Sequence, residues 1–204
     1  MTDKFNDKQG VLLQGHIKIH NPETGEILVD KRNAIHYENM SISLAESLSN
    51  QGQGMVYQMA FGNGGTNVDP TGIITYLSPN STGTNASLYN QTYAKVIDNN
   101  NVNNVDPTRN KLETRHVSGT NYTDIVATCL LDYGEPSGQD ALDNATANDS
   151  LYVFDELGLV SYATSGTGRL LTHVIFHPVQ KSLNRLIQID YTVRVQSLTG
   201  FNEV

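Results

Sequence analysis

The sequence predicts a mainly β protein, an antiparallel β-sandwich or barrel with one helix and long Asn-rich loops. Three observations carry that prediction. Short apolar stretches alternate with polar residues at period two, the pattern of half-buried strands. A single segment places apolar residues at helical spacing. And 21 of the 204 residues are Asn, which bonds its own backbone in turns and weakens regular helix. With 38% hydrophobic residues, a chain of this length can bury one core. Residues 1–204 are therefore expected to form a single β-rich domain, with 1–10 a flexible N-terminal arm.

The elements follow in order. Val11-Leu12-Leu13 leads into His16-Ile17-Lys18-Ile19-His20, Asn21-Pro22-Glu23-Thr24-Gly25 supplies a turn, and Glu26-Ile27-Leu28-Val29-Asp30 returns as the partner strand. Residues 37–49 are read as the helix, with a stripe of Tyr37, Met40, Leu44, Ala45 and Leu48 laid across a sheet and a stop at Asn50 and Gly52. Met55 to Phe61 is a strand halted by Gly62-Asn63-Gly64-Gly65. Ile73–Leu77 and Tyr93–Ile97 are apolar islands, and about 98–110 is a polar surface loop. Asp124 to Asp132 is a buried strand, whereas Leu151 to Tyr162, broken by Asp155-Glu156, fits strand or loop.

Arg169 to Phe176 and Leu186 to Val195 alternate cleanly. In the second, Ile187, Ile189, Tyr191, Val193 and Val195 share a buried face, and Leu186, Gln188, Asp190, Thr192 and Arg194 a wet one. Pro178 makes the segment between them, His177 to Arg185, a loop that bends rather than pairs. About eight strands without alternating helices argue for antiparallel pairing.

The chemistry of the side chains excludes several classes. A net charge of −8 opposes non-specific nucleic-acid binding, which depends on neutralising phosphates. No apolar run is long enough to span a bilayer. Met1 to Asp7 has neither the basic start nor the apolar stretch of a signal peptide, so the chain is expected to stay in the cytoplasm where it is made. Cys129, flanked by apolar residues, reads as a buried inert thiol and leaves a Cys-based zinc site without ligands.

His16/His20 and His173/His177 are spaced by four, but in strands that separation is about 13 Å, too far for one metal. They are expected to be surface or edge histidines. No strand–Gly-x-Ser-x-Gly–helix elbow is present. Gly62-Asn63-Gly64-Gly65-Thr66 lacks the Lys of a phosphate loop and runs into Val68-Asp69-Pro70, so it is expected to be a tight, backbone-exposed turn. Asp98, Asp106, Asp140, Asp143 and Asp149 are the carboxylates available to a structural cation, though none follows a calcium-loop pattern. No catalytic residue, cofactor or metal is expected.

The string Gly15-His16-Ile17-Lys18-Ile19, then Thr24 to His36, resembles the opening of virion structural proteins of tailed bacteriophages. The resemblance continues through Asn39-Met40 and Met59-Ala60-Phe61-Gly62-Asn63-Gly64-Gly65-Thr66, and resumes in Thr172 to Lys181. It implies a ring-forming subunit of the neck or collar, at the head-to-tail connection, with no catalytic activity. Its partners would be copies of itself and virion proteins such as the portal or adaptor, tail terminator or sheath. It would bind no specific nucleic acid and no membrane, and would reside in the virion after assembly in the bacterial host cytoplasm. A capsid decoration or tail-tube/baseplate protein is the alternative within that class. A carbohydrate- or cell-surface-binding β-sandwich is the alternative outside it, with ten Tyr but no Trp to stack on sugars. A hydrolase would have to rest on His173 or His116. Arg185 and Arg194 are the candidates for inter-subunit salt bridges, because Arg pairs bidentately with carboxylate; the alternative for both is a solvated strand face.

Overall fold

The computed structural model describes residues 9–136, 151–164 and 168–199. Among them are β1 (Gln9–His20), β2 (Ile27–Ile35), α1 (Tyr37–Leu48), β3 (Val56–Gly62), β4 (Thr66–Val68), β5 (Ile74–Tyr76) and β6 (Gln91–Val96). They are followed by β7 (Lys111–His116), β8 (Tyr122–Leu131), β9 (Leu151–Ser161), β10 (Thr172–Ser182) and β11 (Ile187–Thr199). Nine strands make one antiparallel sheet in the order β6-β3-β9-β10-β2-β1-β11-β8-β7, and β4 pairs with β5 beside it.

The large sheet folds back on itself where β2 meets β10. Only Ile35 opposite Thr172 and Ala34 opposite His173 pair there, so the sheet can turn a corner between two nearly separate halves. One half is β2-β1-β11-β8-β7 and the other β10-β9-β3-β6. Their inner faces share one core, with Ile17, Ile189 and Tyr191 from the first half and Phe61, Phe154 and Leu157 from the second. Phe154 stands edge-on to Phe61 at 5.5 Å and to Phe176 at 5.7 Å between ring centres, the geometry that aromatic quadrupoles favour. This is the mainly β, antiparallel, sandwich-like architecture that the alternation predicts.

β11 buries Ile187, Ile189, Tyr191 and Val193 as its periodicity dictates. The first hairpin forms in register, Lys18 opposite Asp30 and His16 opposite Arg32, and its second strand runs on to Ile35. At the other end of β1, Gln9 and Gly10 already pair with Thr199 and Leu198, so the arm expected over 1–10 gives up its last two residues to the sheet.

Three expectations need correction, and one segment left open between strand and loop is decided. Residues 177–182 are not loop: β10 continues through Pro178, pairing Ile175 with Glu156 and then Val179 with Phe154 across a bulge. Pro178 sits inside the bulge, where no ladder amide is required of it. Leu151 to Ser161 is a strand throughout, despite its two acids. Lys111–His116 is an additional edge strand, whose charged residues guard an open edge. The helix is oriented differently from its predicted stripe. Met40 and Ser43 are buried with Asn39, whereas Tyr37 and Leu48 are 62% and 89% exposed. The reason is polar: the Asn39 amide donates to the Leu170 carbonyl at 2.9 Å, which pulls that side of α1 inward.

The Asn-rich loop before β7 is held by short Asx turns, with Asn100 N–H donating to Asp98, Asn103 N–H to the Asn101 side chain and Asp106 N–H to the Asn104 side chain, at 3.0–3.1 Å. It is not all surface. Asn110 is buried, and its side-chain oxygen accepts the Leu130 amide at 2.9 Å while Lys95 Nζ donates to the Leu130 carbonyl at 2.7 Å. Two side chains thus replace a missing strand at the edge of β8, because β7 begins only at Lys111, opposite Thr128. Phe154→Ala is expected to lower stability by about 3–5 kcal/mol, and Val102→Ala in the exposed loop by no more than about 0.5 kcal/mol, both read from urea unfolding midpoints.

Candidate functional site

Among the described residues, a group of buried ionisable side chains gathers on the outer side of β9 and β10. β9 places Asp155 and Glu156 side by side, and β10 places His173 beside them; all three are buried. Glu156 accepts four hydrogen bonds. The amides of Gly64 (3.1 Å) and Asn90 (2.8 Å) donate to Oε1, and the Tyr89 amide (3.0 Å) and the His173 ring Nε2 (2.9 Å) donate to Oε2. Asp155 accepts the amides of Gly65 (2.9 Å) and Thr66 (3.0 Å) and the Thr66 hydroxyl. His173 Nδ1 accepts the Asn80 amide at 2.8 Å, which places its ring proton on Nε2, toward Glu156.

All the backbone donors come from one segment, Asn63–Asn90. It crosses the outer face of the second half-sheet and buries Leu88 against Ala60, Val160 and Leu170. Tyr76 on β5 meets His177 at 3.2 Å, and His36 Nε2 meets the Gly83 carbonyl at 3.1 Å. The two carboxylates are therefore the fastening of a third layer. Gly62 is required at its margin: a Cβ there would lie 2.5 Å from both Glu156 Oε1 and the Asn90 carbonyl. The turn after β3 is tight as expected, but its amides are occupied by carboxylates of the same chain.

Electrostatics agrees with a fastening role. Burial pushes Glu156 upward, but His173 and the amides of Asn90, Tyr89 and Gly64 outweigh it and hold the carboxyl below its ordinary value. Asp155 has fewer donors; burial dominates and raises it. His173 is thus a core residue, contrary to the surface or edge placement expected of it. His36 is also buried, and its Nδ1 accepts the Asn39 amide at 3.1 Å, capping α1. His16 and His20 lie on the wet face, against Asp30 at 2.7 Å and Asp190 at 2.9 Å.

Two lysines are buried as well. Lys181 Nζ donates to the carbonyls of Asp132 at 2.9 Å and Ser182 at 2.8 Å, and burial lowers its pKa to about 8. Lys95 pairs with Glu135. Cys129 is fully buried and its thiol is pushed up to about 12, the inert thiol its neighbours suggest. Among the described residues no group of three or more His, Cys, Asp or Glu is placed to hold a metal ion. Asp98 and Asp106 are taken up by turn amides and Arg109; Asp140, Asp143 and Asp149 lie outside the described residues.

The first half-sheet also has a wet outer face. The registers place Lys18, Arg32, Lys111, Arg115 and Arg194 on it among Asp30, Glu113, Asp124 and Asp190, so it is close to neutral on a chain of −8. Arg194 forms a fork with Asp124 at 2.7 and 2.8 Å and lies 3.8 Å over the Tyr122 ring. Arg185 reaches Glu26 at 2.8 Å. Each assembly candidate therefore already has a partner in its own chain, and the two are not brought together. The carboxylate fastening was not read from the sequence; the available signal was a pair of adjacent acids inside an apolar strand, together with a Gly-rich turn able to present bare amides.

Comparison with known proteins finds no matching family model, no matching curated protein and no matching solved structure.

Glu156→Gln is expected to lower stability by roughly 3 kcal/mol, since an amide cannot accept at both atoms, and to accelerate hydrogen exchange at Gly64, Tyr89 and Asn90. The folded pKa of Glu156 lies below 4.5, so its contribution is complete above that pH and is lost as pH falls through the folded value. Exchange at those amides should rise there in the native chain and show no such rise in the variant. Lys181 acts in the same direction at higher pH: between about 8 and 10.5 the unfolded chain holds the proton that the folded one releases, so stability rises with pH as the cost of burying the ammonium is relieved. Lys181→Met should abolish that rise in the denaturation midpoint.

Proposed function

We propose that the chain is a structural subunit of a tailed-phage virion, closing with copies of itself into a ring of the neck or collar and carrying out no catalysis. The observation that supports this reading is where the phage-like stretches fall in space. They are far apart in sequence, yet they pack on one another at the corner between the half-sheets. Gly15 admits the Asn33 side chain, where a Cβ would lie 1.4 Å from Asn33 Oδ1. Lys31 Nζ donates to the Ile175 carbonyl at 2.8 Å, and His36 N–H to the Leu171 carbonyl at 2.9 Å. Gly64, Gly65 and Thr66 meet Asp155 and Glu156, which His173 joins. The resemblance thus follows the framework of the fold, and the Asn-rich stretch outside it lies mostly at the surface, with Asn104 and Asn110 turned inward.

The buried ionisable groups support a non-catalytic role. Glu156, His173 and Lys181 direct their polar atoms to main-chain groups or to each other, away from solvent. The nearly neutral wet face suits contact between copies whose remaining surface is acidic, because like charge opposes approach elsewhere. The ring's neighbours would be the portal or adaptor on one side and the tail terminator or sheath on the other.

Purified chain imaged by electron microscopy, with its mass measured by light scattering, is expected to give closed rings. A monomer at every concentration that binds no particle component would end this reading. A monomer or trimer that binds capsids would replace it with a decoration role. Arg185→Glu with Arg194→Glu tests the two arginines, and rings intact at physiological salt would remove them from the interface.

A further inference from the structure

β2 divides its length between two neighbours. It follows β1 only as far as Asn33, opposite Gly15, and then Ala34 and Ile35 pair with β10 instead. Beyond that fork, among the described residues, no strand pairs with the second side of Gly10–Gln14. A notch of about 610 Å³ opens there, lined by Leu13, Gln14, Arg32, Ile35 and Arg194 among others.

The alternation of the ladder shows which groups this edge presents. The Ser197 N–H donates to the Asn121 carbonyl at 2.8 Å, so odd-numbered residues of β11 bond toward β8 and even-numbered ones toward β1. Gln14 with Arg194 and Leu12 with Gln196 are then the bonded pairs of β1 and β11, and Val11 and Leu13 aim their N–H and C=O toward the notch. Other edges are protected. β7 carries Lys111, Glu113 and Arg115, and from β6 Lys95 reaches across to the Leu130 carbonyl. Gly10-Val11-Leu12-Leu13-Gln14 has neither charge nor proline, and Val11 is 60% exposed. That is the composition of an edge open to strand addition.

The surroundings specify charge. Arg194 stands opposite Gln14 on one side of β1, and Arg32 opposite His16 on the other. Arg194 is held by Asp124. Arg32 is exposed and, among the described residues, has no hydrogen bond or ion pair. Asp30, two residues back on the same face of β2, is bound to His16. A free guanidinium therefore borders the notch on a chain of net charge −8.

We propose that this edge takes up an extended acidic segment of a partner protein as an added strand. The segment's main chain pairs with Val11 and Leu13, and its apolar side chains lie on the Leu13 side of the sheet. A carboxylate at the level of Gln14 meets Arg32, a planar donor suited to it. This inference does not depend on the virion reading.

The probe is a fluorescein-labelled hexapeptide alternating Glu and Val, titrated into the full chain, with a Lys/Val peptide as its counterpart. The Glu/Val peptide is expected to bind saturably, the Lys/Val peptide several-fold more weakly, and the Glu/Val complex to slow hydrogen exchange at the Val11 and Leu13 amides. Arg32→Glu removes no contact among the described residues; it should weaken the Glu/Val peptide several-fold and favour the Lys/Val one. Equal binding of the two peptides, binding of neither, or binding that leaves those two amides unprotected would overturn the proposal. So would protection of both amides in the chain alone that grows with protein concentration, which would assign the edge to a second copy.

Discussion

A carboxylate shut away from water is tolerable only where donors replace its hydration, and Glu156 meets that condition by gathering three amides from a distant segment together with a histidine. Much of the second half of the molecule follows from this. The acid has to stay on the outer side of β9, so the Asn63–Asn90 segment has to cross the half-sheet, and Leu88 is carried onto Ala60, Val160 and Leu170. The bulge in β10 falls beside the same site, between Ile175 opposite Glu156 and Val179 opposite Phe154. A polar requirement at one residue thus shapes a hydrophobic layer.

How far the sequence discloses this depends on where the determining interaction lies. β11 and the first hairpin are legible because each is decided by its own alternation of apolar and polar residues. β7 is harder: Lys111, Glu113 and Arg115 are the residues of an open edge, which burial does not select. Pro178 is misleading because a bulge removes the demand for its missing amide, and the bulge is visible only once β9 is beside it. Asp155-Glu156 looks like a break in a strand until the turn after β3 is placed against it. The helix face turns on the bond from Asn39 to the Leu170 carbonyl, made across 131 residues of sequence.

The histidines make the same point. His16 and His173 have similar neighbours in sequence, yet one stands on a wet face beside Asp30 and the other in the core beside Glu156. Spacing alone treats them alike; what separates them is which face of which strand is later covered. The framework and the exposed surfaces accordingly separate. Residues of the corner and its fastening are constrained by one another, whereas the outer lattice of charges and the Asn-rich turns are constrained by solvent and by whatever meets them.

The third layer is gripped by its main chain. Gly64, Gly65, Thr66, Asn80, Tyr89 and Asn90 all present backbone amides to the fastening, and any residue except Pro carries that donor. Side chains between Ser81 and Ser87 are therefore largely released from the task of staying attached. This stretch can diversify over evolutionary time, altering what the surface presents to other molecules, while the anchorage beneath it stays the same.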